Sequence, residues 1–218
     1  MSNYSIIDSP WNTIAHIDCF RTQGIKTIIR YYDAELFTPY PQRRLGPVEA
    51  IKLSQNGFKI MVVFEVSENI VASTGTAFGL DALQCAKEIG QPNESAIYFA
   101  VDFNAELTII KEQIIPYFQA IQKVMNDARP TQSYKIGAYG SGLVINTLKK
   151  ENLIDYRWLS HSPDYLGTKE ALEDGSYELR QISPSTIICR LRTYYNELNP
   201  TISDVRSIGA FQVDSQAN

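Results

Sequence analysis

The stretch Ala96-Ile-Tyr-Phe-Ala-Val-Asp102 decides the fold, because six apolar or aromatic side chains run without alternation and end on a carboxylate. A strand covered on one face only alternates with period two. An unbroken run of this length belongs instead to a strand covered on both faces, as in a parallel α/β sheet. Outward from this run, short β-rich stretches alternate with segments of helical period. On the amino-terminal side, Tyr4 to Asp8 reads as a first strand, followed by a helix that Asn12 caps and Gly24 ends. Lys26 to Tyr31 is a second strand. After a Pro-rich loop, Pro47 opens a helix running to about Asn56, and Gly57 stops it before the strand Phe58 to Glu65. Val66 to Phe78, with Ser, Thr, Gly and Asn throughout, reads as a long loop before a helix over about Leu80 to Ile89.

On the carboxyl-terminal side, Leu107 to about Ala128 is a long helix that Pro116 kinks or splits, then come the strand Tyr134 to Tyr139 and a helix from Leu143 to about Glu151. Beyond Leu153 the rhythm changes. Asp155 to Ser160 and Tyr177 to Ile182 read as strands with no full-length amphipathic helix between them, and Ser183 to Arg206 carries no clear pattern. Ala210 to Asp214 reads as a last short strand. The order implies an α/β chain folded as a modified TIM barrel, a single domain over residues 1–218.

Composition bounds the function. Of 218 residues, 44% are hydrophobic and 20% charged, so the chain can bury a core of its own. A net charge of −4 and the lack of any basic run speak against nucleic acid as a partner. Met1 to Trp11 has neither the basic start nor the apolar stretch of a secretory signal, and no later segment approaches a membrane span. The expectation is therefore synthesis in the cytoplasm without a signal peptide, with export by a non-classical route or release by lysis as ways to act outside. That leaves a secretion machine or another protein as a second class of partner. Cys19, Cys85 and Cys189 are odd in number and widely spaced, which predicts buried thiols rather than a disulfide framework.

The reactive groups of a parallel barrel come from the carboxyl ends of its strands. Asp8, Glu65, Asp102 and Asp214 each end a predicted strand and are expected to converge on one rim. A single Asp in such a position is more often an Asx turn or a cap, but four would need that explanation four times. Clustered carboxylates without histidine or thiol suit glycoside hydrolysis, in which one acid protonates the leaving oxygen and another is base or nucleophile. Crowding raises one pKa and keeps an acid available near neutrality. Tyr31, Tyr98, Tyr139 and Trp158 lie in or at the ends of strands and would offer faces to sugar rings, although such rings also serve as core. Arg30 would hold a rim carboxylate ionised or form an ordinary structural pair. Gly137-Ala-Tyr-Gly140-Ser-Gly142 fits neither a nucleotide loop nor a nucleophile elbow and reads as a turn. His16 and His161 are read as surface or core residues. No metal-ligand motif and no cofactor motif is found.

Ile28-Ile-Arg-Tyr-Tyr32, Val62-Val-Phe-Glu65, Gly79-Leu-Asp-Ala82, Ile97-Tyr-Phe-Ala-Val-Asp102 and Ile136-Gly-Ala-Tyr-Gly140 resemble the signature blocks of the Rv2525c-like, glycoside-hydrolase-like TIM-barrel domain, a distant relative of the family-25 lysozymes. The resemblance covers about Tyr4 to Gln181, with Val213-Asp214 similar to a closing strand. It implies five βα units and three further strands. It also implies a polysaccharide substrate, above all bacterial peptidoglycan, with Asp8, Asp102 and Asp214 matching lysozyme acids by position. Asn104 stands where those families carry a second acid, and an amide exchanges no catalytic proton. Glu65 is then the expected general acid and Asp102 the base or nucleophile, with Arg30, Tyr31, Tyr98, Asn104, Tyr139, Trp158 and Gln181 as substrate contacts. The Val66 to Phe78 loop would wall the groove. The alternative is a barrel that binds glycan or protein without cleaving it.

Overall fold

The structure, a computed structural model, describes residues 4–33, 43–66 and 70–214. Eight strands close a barrel in sequence order: β1 (Ile6–Asp8), β2 (Thr27–Tyr32), β3 (Lys59–Phe64), β4 (Ala96–Ala100), β5 (Lys135–Gly140), β6 (Tyr156–Leu159), β7 (Leu179–Ile188) and β8 (Leu191–Leu198). Neighbours from β1 to β7 are parallel, whereas β8 runs antiparallel to both β7 and β1. Five strands are followed by helices that cover the barrel, and the β6–β7 connection holds only the short α7 (Thr168–Asp174). This is the five-plus-three arrangement of a modified TIM barrel.

Strand alternation sorts the core into two layers. Ile29, Tyr31, Met61, Val63, Tyr98, Tyr139, Trp158 and Leu179 fill the barrel. Ile28, Tyr32, Val62, Phe64, Ile97, Phe99 and Ala138 pack outward against the helices. Both faces of β4 are thus buried, which is why Ala96 to Val101 shows no polar alternation.

Three expectations are corrected. The helix before β4 begins at Ala72, so α3 (Ala72–Ile89) takes in most of the presumed loop. The small residues there are contacts. A Cβ on Gly75 would lie 2.4 Å from the Tyr117 carbonyl oxygen, so glycine lets α3 approach α5 (Ile115–Asp127) closely. Residues 67–69 of that stretch lie outside the described ones. Second, the closing strand is β8, inside the unpatterned region, and not Ala210 to Asp214. The tail forms a 3-10 turn (Val205–Ile208) and plugs the amino-terminal end of the barrel. Phe211 exchanges backbone bonds of 2.8 and 2.9 Å with Ile60, and Ala96 N–H donates to the Gly209 carbonyl at 3.0 Å. Third, Cys19 and Cys189 form a disulfide with an S–S distance of 2.07 Å across 170 residues of sequence, while Cys85 is a buried thiol. The link joins α1 (Ile17–Thr22) to the tip of the β7–β8 hairpin, a contact that spacing along the chain conceals.

The long helix expected around Pro116 is split. A π-type turn (Ile110–Ile114) separates α4 (Leu107–Ile109) from α5 and accommodates the ring and the missing N–H. Among the described residues no helix is long and apolar enough to cross a membrane.

Candidate active site

Glu65 and Asp102 follow β3 and β4 in the parity that points into the barrel, and Asp8 ends β1 in the same parity. All three lie at the carboxyl-terminal end of the barrel, where Asp8 is fully buried and Glu65 and Asp102 line a cavity of about 410 Å³. Its wall runs from Pro10 and Trp11 through Tyr31, Arg43, Glu65 and Asp102 to His161, Gln181, Arg192 and Tyr194.

Beneath the cavity lies a buried polar layer centred on Asp8. Its carboxylate accepts from Asn196 Nδ2 at 2.7 Å, Gln181 Nε2 at 2.9 Å and the Tyr31 hydroxyl at 3.2 Å. Burial nevertheless pushes its pKa up to about 6, and the three donors only moderate that rise. Asn196 is held in turn by Trp158 Nε1 at 2.9 Å. Gln181 presents its carbonyl oxygen to the Tyr139 hydroxyl at 2.9 Å and to His161 Nδ1 at 2.8 Å. An amide oxygen only accepts, so His161 Nδ1 donates to it.

Glu65 is 29% exposed, and its nearest cation is Arg43, Nη2 to Oε1 3.7 Å. Burial first and the Asp102 charge second push its pKa up to about 7, against the pull of Arg43. Asp102, more open to water, is also raised by desolvation, and His161 lowers it. One carboxyl therefore stays protonated near neutrality beside another that ionises more readily. That is the division of labour an acid and a base or nucleophile require.

Four predicted site residues lie elsewhere. Asp214 is exposed at the opposite end of the barrel, where the Val213 N–H donates to Ser54 Oγ at 2.9 Å. Its segment folds beneath the barrel instead of closing it. Arg30 has the outward parity of β2, so it cannot reach the rim. Its Nε meets Glu49 Oε1 of α2 (Pro47–Gln55) at 2.8 Å, with both side chains buried. Tyr98 points inward but too low, and its hydroxyl donates to the Ile208 carbonyl of the plug at 2.9 Å. Asn104 is exposed beyond β4 and accepts from the Leu166 N–H at 2.9 Å. Tyr31, Tyr139, Trp158 and Gln181 do border the cavity. Trp158 is only 1% exposed, so it forms a floor and not a free stacking face.

Trp11, Arg43, His161, Arg192 and Tyr194 were not anticipated. His161 lies two residues beyond the end of β6 and directly after the strand expected over Asp155 to Ser160, and that position was its available signal. Arg192 and Tyr194 belong to β8, whose inward and outward positions were not legible without the strand itself.

Comparison with known proteins gives the same picture. The family described as Rv2525c-like, glycoside hydrolase-like domain matches residues 18–194. The Tat-secreted protein Rv2525c of Mycobacterium tuberculosis, solved in complex with L-tartrate, superimposes with a TM-score of 0.76 at 18% identity, over 96% of this chain and 99% of that one. The modular autolysin LytC of Streptococcus pneumoniae gives a TM-score of 0.56 at 12% identity, over 88% of this chain and 46% of that one. YbfG of Bacillus subtilis (strain 168) is 28% identical over 150 residues, 65% of this chain and 20% of its own length. The chain thus spans about a fifth of that curated relative.

Proposed function

Since this chain belongs to the Rv2525c-like, glycoside hydrolase-like domain family, we propose that it is a glycoside hydrolase acting on a polysaccharide, with bacterial cell-wall peptidoglycan as its substrate. The observation that carries the reading is the pairing of Glu65 and Asp102 on adjacent strands at one cavity, with the Glu65 pKa pushed up to about 7 in part by Asp102. Glu65 is the general acid that protonates the glycosidic oxygen. Asp102 is the base or nucleophile on the other side of the anomeric carbon. Asp8 and its three donors hold the floor, and Trp11 and Tyr194, both half-buried, offer ring faces for sugar stacking. The substrate class is suggested by the peptidoglycan ligand described for LytC, which shares the fold. Secretion of Rv2525c, together with the Cys19–Cys189 disulfide, favours a site of action in an oxidising compartment outside the cytoplasm.

The test is release of reducing ends from purified peptidoglycan by the wild type, Glu65→Gln and Asp102→Asn. Turnover by the wild type, lowered at least about a hundredfold in each variant, is expected. A Glu65→Gln protein as active as wild type would overturn the assignment.

One observation favours a second reading, a barrel that binds glycan without cleaving it. Asn104 replaces an acid by an amide, and its carbonyl oxygen is engaged with the Leu166 N–H. Saturable glycan binding with no new reducing ends would establish that reading.

A further inference from the structure

Charge is distributed unevenly around the cavity. The acids Glu65 and Asp102 stand on β3 and β4, whereas Arg192 stands on β8, which is diametrically opposite β4 in an eight-stranded ring. Arg43, after β2, lies between. Both arginines are set by one hub. Ser9 Oγ donates to the Arg192 carbonyl at 3.0 Å, Arg30 Nη1 to the Ser9 carbonyl at 2.6 Å, and Arg30 Nη2 to the Arg43 carbonyl at 3.1 Å. The hub is buried and anchored on Glu49. Beyond Arg192, the hairpin tip is stapled to α1 by Cys19–Cys189, and His16 Nδ1 meets the Cys189 carbonyl oxygen at 2.9 Å.

The backbones are held, but the guanidinium groups are underused. Arg192 is exposed, and its side chain has no hydrogen bond or ion pair among the described residues. Among the described residues Arg43 Nε is buried without a hydrogen-bond partner, and the guanidinium lies 5.8 Å from the centroid of the Tyr31 ring and 3.7 Å from Glu65. Two such forks at the wall of a cavity whose far side is acidic match a ligand that is neutral where it reacts and anionic where it is held.

Resting on the reading of this cavity as a glycan site, we propose that Arg192 and Arg43 form a subsite for the carboxylate of an acidic sugar, so that the cell-wall glycan bound here carries uronic-acid-type residues and replaces peptidoglycan itself as the substrate. The acidic sugar lies toward β8 and β1, beside Trp11, and the bond to be cleaved lies toward Glu65 and Asp102. A polyphosphate chain fits less well, since every unit would bring charge toward the acids.

The probes are a thio-linked disaccharide ending in glucuronic acid and its carboxyl-reduced neutral counterpart, titrated calorimetrically into the full chain. The acidic disaccharide is expected to bind about tenfold tighter at low salt, the scale of one charge-assisted hydrogen bond. The advantage should shrink as salt rises. Arg192→Gln should bring the two affinities together, and Arg43→Gln should narrow the gap in a separate preparation. Equal affinities in the wild type would overturn the subsite and leave the glycan reading standing. Binding of neither disaccharide would overturn both. Succinate binding as tightly as the acidic disaccharide would show a bare anion site and overturn the sugar assignment.

Discussion

Glu65 sits between two opposing influences, a desolvating wall with a neighbouring carboxylate and a loosely placed arginine, and the wall prevails with a pKa of about 7. For the reaction, this predicts that kcat/KM on a cell-wall glycan falls as pH rises through about 7 and the general acid is lost. It should also fall at low pH as Asp102, raised from its ordinary value, takes up a proton. For stability the sign follows from proton binding. Between its ordinary 4.5 and about 7, Glu65 binds more proton in the folded than in the unfolded chain, so folding stability declines as pH rises through that window. Glu65→Gln should therefore be more stable than wild type at pH 8, by on the order of 2 kcal/mol, with the gain absent at pH 4. Urea titrations at the two pH values check this; an equal gain at both would show that burial is not the cause. Glu65 and Asp102 at the rim and Asp8 beneath it were legible because each ends a strand and parity then points it inward. Of the two readings of Arg30, the ordinary structural pair holds, with Glu49 as its partner, since Tyr31 takes the inward place.

Among the elements, α2 and the β1–α1 connection are joined by Glu49. It accepts from Thr13 N–H at 2.8 Å, Thr13 Oγ1 at 2.6 Å, Asn12 Nδ2 at 3.0 Å and Arg30 Nε at 2.8 Å. Glu49→Ala leaves the Arg30 charge buried and unpaired, and a loss of about 3–5 kcal/mol is expected. Chemical denaturation measures it, and a loss below about 1 kcal/mol would mean that water replaces the carboxylate. Nothing in the sequence marked Glu49, because a glutamate in the first turn of a helix is ordinary there. Likewise α3 was half hidden, since Gly75 and Gly79 resemble loop residues until the helix they approach is known. The hairpin of β7 and β8 was hidden for another reason. It projects beyond the ring, Ile187 on it is exposed, and its turn at Cys189 and Arg190 uses positive φ values without glycine.

For the molecule as a whole, the Cys19–Cys189 link closes a loop across 170 residues, nearly the full circuit of the barrel. Loop-closure entropy puts its contribution at about 2–5 kcal/mol. A reductant should lower the thermal midpoint of the wild type and leave that of the Cys19→Ser, Cys189→Ser double variant unmoved. Equal sensitivity of the two proteins would show that the link contributes nothing. The parallel ring itself was readable from β1 to β5, where each strand is short, apolar and followed by a helix. Its closure was not, because one strand runs backwards and the tail turns beneath. That reversal of β8 has a topological outcome: the chain enters β1 and leaves β8 at the same pole, the plugged one. Cargo or an anchor spliced at either end would hang from the back of the barrel, and the mouth would stay free to travel along a polymer too large to move.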